Sequence, residues 1–136
     1  MRKEIKVLAL VENLNNLLEF LEDCLTDVGA DVKRKTLLYV ACEEIFVNIA
    51  HYAYSGVGSV DIIFEYLEDE KQVRVTFIDS GVPFNPVERA NPDVTLPAEE
   101  RNIGGLGIYM VKKTMDDLIY CYKENKNCLT LVKNLT

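Results

Sequence analysis

The sequence of 136 residues is poor in the groups that build metal centres, with a single histidine and four cysteines. No two cysteines stand in a CxxC arrangement, and structural zinc sites need about four suitably spaced sulfur and nitrogen ligands. A zinc site is therefore not expected. Without an export signal we expect reduced, buried and unreactive thiols. The cysteines are Cys24, Cys42, Cys121 and Cys128.

Long apolar runs and clusters of positive charge are also missing. The N-terminal stretch MRKEIKVLAL is interrupted by charges and has no small-residue cleavage site, so we expect neither a secretory signal nor a membrane span. The formal net charge is -7, and a field of this sign repels nucleic acid and anionic membranes. We therefore expect a cytoplasmic protein that contacts neither nucleic acid nor membrane directly.

The periodicity of apolar residues predicts a single domain of the α+β class. Helices are predicted over 14–28, 33–54 and 105–116, and strands over 4–11, 58–67, 72–79, 118–123 and 127–133. Helices and paired strands are segregated along the chain. That order is typical of a two-layer sandwich, in which a mostly antiparallel mixed sheet is covered on one face by about three helices.

The segment 79–103 matches no regular pattern. It contains all four prolines of the chain, which are Pro83, Pro86, Pro92 and Pro97. Loops of this length are uncommon in compact domains and usually serve as lids or binding loops. We therefore predict a functional loop between the third predicted strand and the third predicted helix.

A glycine cluster is the first of three short stretches that could carry chemistry. Gly104, Gly105, Leu106 and Gly107 stand at the start of a predicted helix. Unpaired backbone amides and the helix dipole favour an anion there, and glycine lets a phosphate approach the main chain. A tight turn with close helix packing explains the same residues. No GK[ST] follows, so this is not a Walker A motif.

The second stretch contains Glu44 and Asn48, which lie one helical turn apart beside an apolar stripe, whereas Glu43 projects to the solvent side. The carboxylate could act as a general base and the amide oxygen as a metal ligand. A surface acid beside a polar residue is the simpler alternative. His51 is interpreted as a surface or boundary residue rather than a catalyst.

The third stretch begins with Asp79, the first polar residue after a predicted strand, and continues with Gly81. A carboxylate in an apolar crevice can accept a hydrogen bond from an exocyclic amine such as that of adenine, and Gly81 leaves room for a flat ligand. The alternative is an Asx-turn that leads into the proline-containing loop.

The order and spacing of these stretches resemble the N, G1 and G2 boxes of the GHKL (Bergerat-fold) ATPase superfamily. The phrases that carry the resemblance are EEIFVNIAHYAY, DSGVPFNP and GGLGIYMVKKTMDD. The similarity covers nearly the whole chain. Within the superfamily, the sequence most closely resembles the small anti-sigma-factor serine/threonine kinases of bacteria.

The resemblance implies a role for each matched residue. Glu44 would act as the general base toward an incoming serine hydroxyl, and Asn48 would ligate Mg²⁺ on the ATP phosphates. Asp79 would bind the adenine amino group beside the space left by Gly81, and Thr130 would support Asp79. Further nucleotide contacts are implied for Phe84, Gly104, Gly105, Leu106 and Gly107. Residues 80–103 would form the ATP lid.

Two positions depart from the family pattern. The N box often has a basic residue where this chain has Tyr52, which removes a phosphate contact. The turn of the final hairpin commonly contains glycine, where this chain has Glu124-Asn125-Lys126-Asn127. Asparagine tolerates left-handed backbone, so the turn is still expected. These departures bear on phosphoryl transfer rather than on ATP binding.

The function implied by the resemblance is that of an ATP-dependent protein serine/threonine kinase. It would phosphorylate a STAS-type antagonist protein and, when free, sequester a sigma factor, and it would form a homodimer. An ATP-gated protein-binding module without phosphoryl transfer is the alternative. The catalytic domain of a sensor histidine kinase is a third interpretation, which the absence of a dimerising phospho-acceptor hairpin disfavours.

Overall fold

A computed structural model describes residues 1–88 and 105–136 of the chain. The strands are β1 (Arg2–Leu8), β2 (Ser59–Leu67), β3 (Gln72–Asp79), β4 (Asp117–Lys123) and β5 (Lys126–Asn134). The helices are α1 (Leu14–Asp27), α2 (Val32–Tyr52) and α3 (Gly105–Thr114). Single turns of 3-10 helix lie at Val11–Asn13 and Pro86–Glu88. The predicted order of elements is confirmed, and their bounds agree to within about three residues.

The described strands form one sheet in the order β1-β2-β3-β5-β4, and all neighbouring pairs are antiparallel. The predicted two-layer α+β class is confirmed, although the described part of the sheet is antiparallel rather than mixed. In the central register Asp79 lies between Val60 on β2 and Asn127 on β5. Because paired residues share a face of the sheet, these three side chains point to the same side.

The core lies between this face of the sheet and the helices. Residues of the three central strands that contribute to it are Val60, Ile62, Phe64, Val73, Val75, Phe77, Leu129 and Leu131. The helices α1 and α2 contribute Leu17, Leu21, Leu25, Leu38, Cys42, Ile45 and Phe46. Burial of each large side chain is worth about 1.5–3 kcal/mol. This apolar layer fixes α2 across the sheet.

The helix ends are determined by capping and terminating residues, only some of which were predicted from the sequence. Gly29, with φ of 75°, terminates α1 as expected. Asn13 occupies the N-cap position, but its amide donates to the carbonyl of Leu8 at 2.9 Å and caps nothing. Asp31 caps α2 by accepting a hydrogen bond from the backbone N–H of Arg34 at 2.8 Å.

The turn between β4 and β5 forms without glycine. Glu124 and Asn125 both adopt left-handed backbone, with φ of 53° and 61°. This two-residue arrangement suits the twist of a β-hairpin. Asn127, which is both the last residue of the expected turn and the first of the predicted strand 127–133, lies inside β5.

The cysteines divide into two groups, which corrects the expectation of uniform burial. Cys24 and Cys42 are buried, and burial raises the pKa of both thiols. Cys121 is exposed and Cys128 is half-buried, and the two are opposite each other on β4 and β5.

Within 1–88 and 105–136, no group of three or more histidine, cysteine, aspartate or glutamate side chains is arranged to hold a metal ion. No helix in the same ranges is long and apolar enough to cross a membrane.

Candidate functional site

A cavity of about 360 Å³ opens between the C-terminal half of α2, the end of β3 and the inner face of β4 and β5. Its lining is mostly apolar, and the polar groups include the side chains of Asn48, Asp79, Tyr120 and Asn127. Sites for small molecules commonly combine an apolar wall with a few polar groups that orient the ligand. Asn48 of the second sequence cluster and Asp79 of the third thus line the same cavity.

Asp79 ends β3 and is 6% exposed. Its Oδ1 atom accepts hydrogen bonds from the backbone N–H of Gly81 at 2.9 Å and from Nδ2 of Asn127 at 3.0 Å. The first of these bonds is the Asx-turn that the sequence left as an alternative. The Oδ2 atom has no hydrogen-bond partner among the described residues. No buried side-chain oxygen or nitrogen of the described residues lacks a hydrogen-bond partner. The unpaired Oδ2 atom is therefore accessible, and it faces the cavity that Asp79 lines.

Gly81 allows β3 and the following loop to approach the end of α2. A Cβ atom at this position would lie 2.3 Å from the carbonyl oxygen of Ala53 and 2.5 Å from its Cβ. The same carbonyl accepts a hydrogen bond from the N–H of Val82 at 2.9 Å. The absent side chain therefore makes room for the α2 backbone, a reason that differs from the space for a flat ligand expected from the sequence.

We expect the substitution Gly81→Ala to lower the free energy of unfolding by about 1–3 kcal/mol, the range typical of overpacking. The cause is the clash with the Ala53 backbone, which cannot be relieved by turning a side chain. Urea unfolding followed by circular dichroism measures the change. Gly56→Ala is the matched control, because a Cβ there would meet nothing within 4 Å. Equal stability of the two variants would contradict this assignment.

Glu44 and Asn48 lie on α2, and Asn48 lines the cavity. Glu44 is half-buried, and burial raises the pKa of its carboxyl. A hydrogen bond from the Asn48 amide lowers this pKa and the neighbouring charge of Glu43 raises it, both less strongly than burial does. Glu43 itself is exposed, as predicted. Because a carboxylate accepts from the N–H of an amide, the interaction between Asn48 and Glu44 leaves Oδ1 of Asn48 for another partner.

Gly107 connects the glycine cluster with Glu44. A Cβ atom on Gly107 would lie 2.0 Å from Oε1 of Glu44 and 2.1 Å from its Cδ. The first turn of α3 therefore packs directly against the carboxylate. Gly105 is the first residue of α3, which agrees with the prediction of glycines at a helix N-terminus. Leu106 also belongs to α3, whereas Gly104 and positions 89–103 of the expected lid lie outside the described residues.

Phe84 and Tyr52 stand at the mouth of the cavity. Phe84 is 44% exposed and lines the cavity. Tyr52 is 56% exposed and also lines it, so this position offers an aromatic ring rather than a cation. His51 is exposed, and its ring meets that of Tyr52 edge-on. The interpretation of His51 as a surface residue is confirmed.

The prediction that Thr130 supports Asp79 is wrong. Thr130 pairs with Thr76 in the β3–β5 register, and their hydroxyls share a hydrogen bond of 2.8 Å. Asp79 is three residues from Thr76, and an odd separation in a strand places two side chains on opposite faces. Thr130 therefore points away from the cavity.

Asn127, and not Thr130, is the β5 residue that contacts Asp79. It is 5% exposed and faces Asp79 across β3 and β5. Its Oδ1 atom accepts hydrogen bonds from the Phe84 N–H at 3.1 Å and the Tyr120 hydroxyl at 2.5 Å. Burial raises the pKa of Tyr120, and the nearby charge of Asp79 raises it further. In the sequence Asn127 is the last residue of the polar run ENKN and the first of the predicted strand 127–133, and no local pattern distinguishes it from the neighbouring turn residues.

This chain is similar to proteins of known family. The family model described as the histidine kinase-like ATPase domain matches residues 7–133. The serine-protein kinase RsbW of Listeria monocytogenes is 36% identical over 93 residues, which cover 64% of this chain and 58% of that protein. RsbW of Bacillus mycoides is 33% identical over 95 residues, which cover 66% and 58%. The match thus spans somewhat over half of these curated relatives.

A solved structure shares the fold. The crystal structure of the RsbU and RsbW domains of a Mycobacterium tuberculosis protein matches with a TM-score of 0.70 over 99% of this chain and 32% of that chain. The sequence identity is 17%. At that identity the similarity concerns the fold alone, and it agrees with the antiparallel sheet and three helices described above.

Proposed function

This chain belongs to the histidine kinase-like ATPase domain family, and from that premise we propose that it binds Mg²⁺-ATP and transfers the γ-phosphate to a serine or threonine of a protein substrate. The observation that carries the proposal is the convergence of three groups. The open oxygen of Asp79 and the amide of Asn48 line one cavity, and the carboxylate of Glu44 lies one helical turn from Asn48 on α2, against Gly107 of α3.

The side chains present fit a nucleotide and its metal ion. The cavity volume of about 360 Å³ lies within the usual range for small-molecule sites. Mg²⁺ is commonly held by one or two protein oxygens together with substrate phosphates, and Oδ1 of Asn48 is a ligand of this kind. When bound, the ion neutralises the charge of the phosphates and leaves little covalent work to the protein. The N-terminus of α3 favours an anion beside Glu44.

Glu44 is suited to accept the proton of an incoming hydroxyl. General bases work best when their pKa approaches the working pH, and burial raises the pKa of this carboxyl toward that range. The Asn48 amide favours the ionised form of this carboxyl, and the first turn of α3 packs against it. In this mechanism Asp79 orients the base of the nucleotide, Asn48 holds the phosphate end and Glu44 takes the proton.

The partners of the reaction are part of the same proposal. The substrate would be a STAS-type antagonist protein, and this chain, when free, would sequester a sigma factor and form a homodimer. Support comes from the name serine-protein kinase carried by the curated relatives, of which the match spans 58%. A module that binds ATP without transferring phosphate is the second candidate, favoured by Tyr52 in place of a cation at the cavity mouth.

We expect the full chain to label a STAS-type antagonist on serine or threonine when both are incubated with γ-³²P-ATP and Mg²⁺. Labelling stops on chelation of the metal if the ion takes part in transfer. Calorimetric titration of the same preparation with ATP separates binding from transfer. Bound ATP without labelled antagonist would favour the second candidate. Absence of any ATP binding would overturn both.

A further inference from the structure

We propose that Asn127 is a specificity-determining residue that makes the site select adenine over guanine, because it occupies one of the two oxygens of the Asp79 carboxylate. The inference rests on the proposed function, since it concerns the base of the nucleotide that the cavity binds. Asn127 lies outside all three sequence clusters, and the folding of the chain brings it into contact with Asp79.

The carboxylate of Asp79 offers one acceptor atom to the cavity instead of two. Two donors already meet Oδ1, the N–H of Gly81 at 2.9 Å and Nδ2 of Asn127 at 3.0 Å. The Gly81 donor is a local consequence of the Asx-turn. The Asn127 donor comes from β5, 48 residues away along the chain. The direction in which Asp79 presents its remaining oxygen therefore depends on Asn127.

The two purines differ in what they present to such a carboxylate. Adenine has one exocyclic amine, and the adjacent ring nitrogen is an acceptor. One accepting oxygen satisfies this edge, whereas a second would face the lone pair of the ring nitrogen. Guanine presents two adjacent donors, a ring N–H and an exocyclic amine, and these are satisfied together when both oxygens of a carboxylate accept. A saturated Oδ1 atom leaves one of these donors unpaired in a buried site, which disfavours guanine.

The orientation of the Asn127 amide is determined by its other partners. Its Nδ2 atom also donates to the carbonyl of Val82 at 2.9 Å, with a longer contact of 3.4 Å to the carbonyl of Gly81. Its Oδ1 atom accepts from Phe84 and Tyr120. If the amide were flipped, Oδ1 of Asn127 would face Oδ1 of Asp79 and the carbonyl oxygen of Val82, and both contacts would be repulsive. The buried network thus keeps a donor, never an acceptor, against Asp79.

The test compares the affinities of ATP and GTP, each with Mg²⁺, by calorimetric titration of the full chain. We expect the parent protein to prefer ATP. In Asn127→Ala the loss of one charge-assisted hydrogen bond should reduce ATP affinity about tenfold and reduce the ratio of ATP to GTP affinity by about tenfold or more. Cys128→Ala is the matched control on β5, because its side chain lies on the opposite face, and it should keep the parent ratio.

Each outcome decides the proposal. A folded Asn127→Ala protein that loses affinity for both nucleotides equally, or keeps the parent ratio, overturns it. If this variant fails to fold, Tyr120→Phe replaces it, since that change removes one bond to Asn127 and should shift the ratio in the same direction by a smaller factor. An unchanged ratio in Tyr120→Phe then overturns the inference. A parent protein that binds no ATP would instead overturn the proposed function.

Discussion

Replacing Glu44 by glutamine is expected to slow phosphoryl transfer by about 10²–10⁴-fold, the usual contribution of a general base. Glutamine keeps the size of the side chain and its contact with Gly107 but cannot take a proton. The affinity for ATP should change little, since Glu44 is not part of the cavity wall around Asp79. Initial rates of label transfer, together with calorimetric ATP affinities, measure the two effects separately.

Glu43→Gln is the matched control for this experiment. Glu43 is the preceding residue of α2 and is exposed. The control should transfer phosphate at close to the parent rate, with at most a small effect through the charge that Glu43 places near Glu44. Parent-like transfer by Glu44→Gln would show that another group accepts the proton.

The raised pKa of Glu44 gives the same prediction a pH signature. The base is active when ionised, so the rate should fall as the pH falls through the raised pKa, above the value of about 4.3 for ordinary glutamate. Stability has the opposite dependence. The folded state binds this proton more tightly than the unfolded state, so stability is lost as the pH rises from the ordinary to the raised pKa. Glu44→Gln should lack both features and be at least as stable as the parent at neutral pH.

Asp79→Asn is expected to reduce ATP affinity by about 10–100-fold, as for the loss of a hydrogen bond to a charged group. The N–H of Gly81 and Nδ2 of Asn127 would hold the new amide with its oxygen toward them. Its NH₂ group would then face the cavity. A donor in that position opposes the exocyclic amine of adenine, so the site loses its acceptor and gains a repulsive contact.

Calorimetry measures this loss, and thermal unfolding shows whether the domain stays folded. Asp61→Asn is the matched control, because Asp61 pairs with Ile78 and therefore lies on the opposite face of the sheet from Asp79. It forms an ion pair of 3.6 Å with the largely exposed Lys6 side chain, and such pairs contribute little to stability. ATP binding by Asp79→Asn at the parent affinity would remove Asp79 from the nucleotide site.

Much of this fold is readable from local patterns. The apolar spacing of α1 and α2 and the alternation in β2 and β3 predicted the elements and their order, because both patterns reflect the burial of one face. Gly29 marked the end of α1 through a backbone conformation that glycine adopts readily. The stretches around Glu44, Asp79 and Gly107 were identified by residue type and spacing, which the resemblance to a family made specific.

The partners of these residues were decided by the tertiary structure. Whether Asn127 or Thr130 faces Asp79 depends on the register between β3 and β5, and a shift of one residue exchanges the two faces of a strand. The reason for Gly81 was likewise hidden, because the Ala53 backbone that excludes a Cβ atom there belongs to the end of α2. Periodicity is a property of neighbouring residues in the chain. Register and close approach arise between segments tens of residues apart, and so the sequence alone determined the elements and candidate groups, whereas the packed fold determined which of them touch.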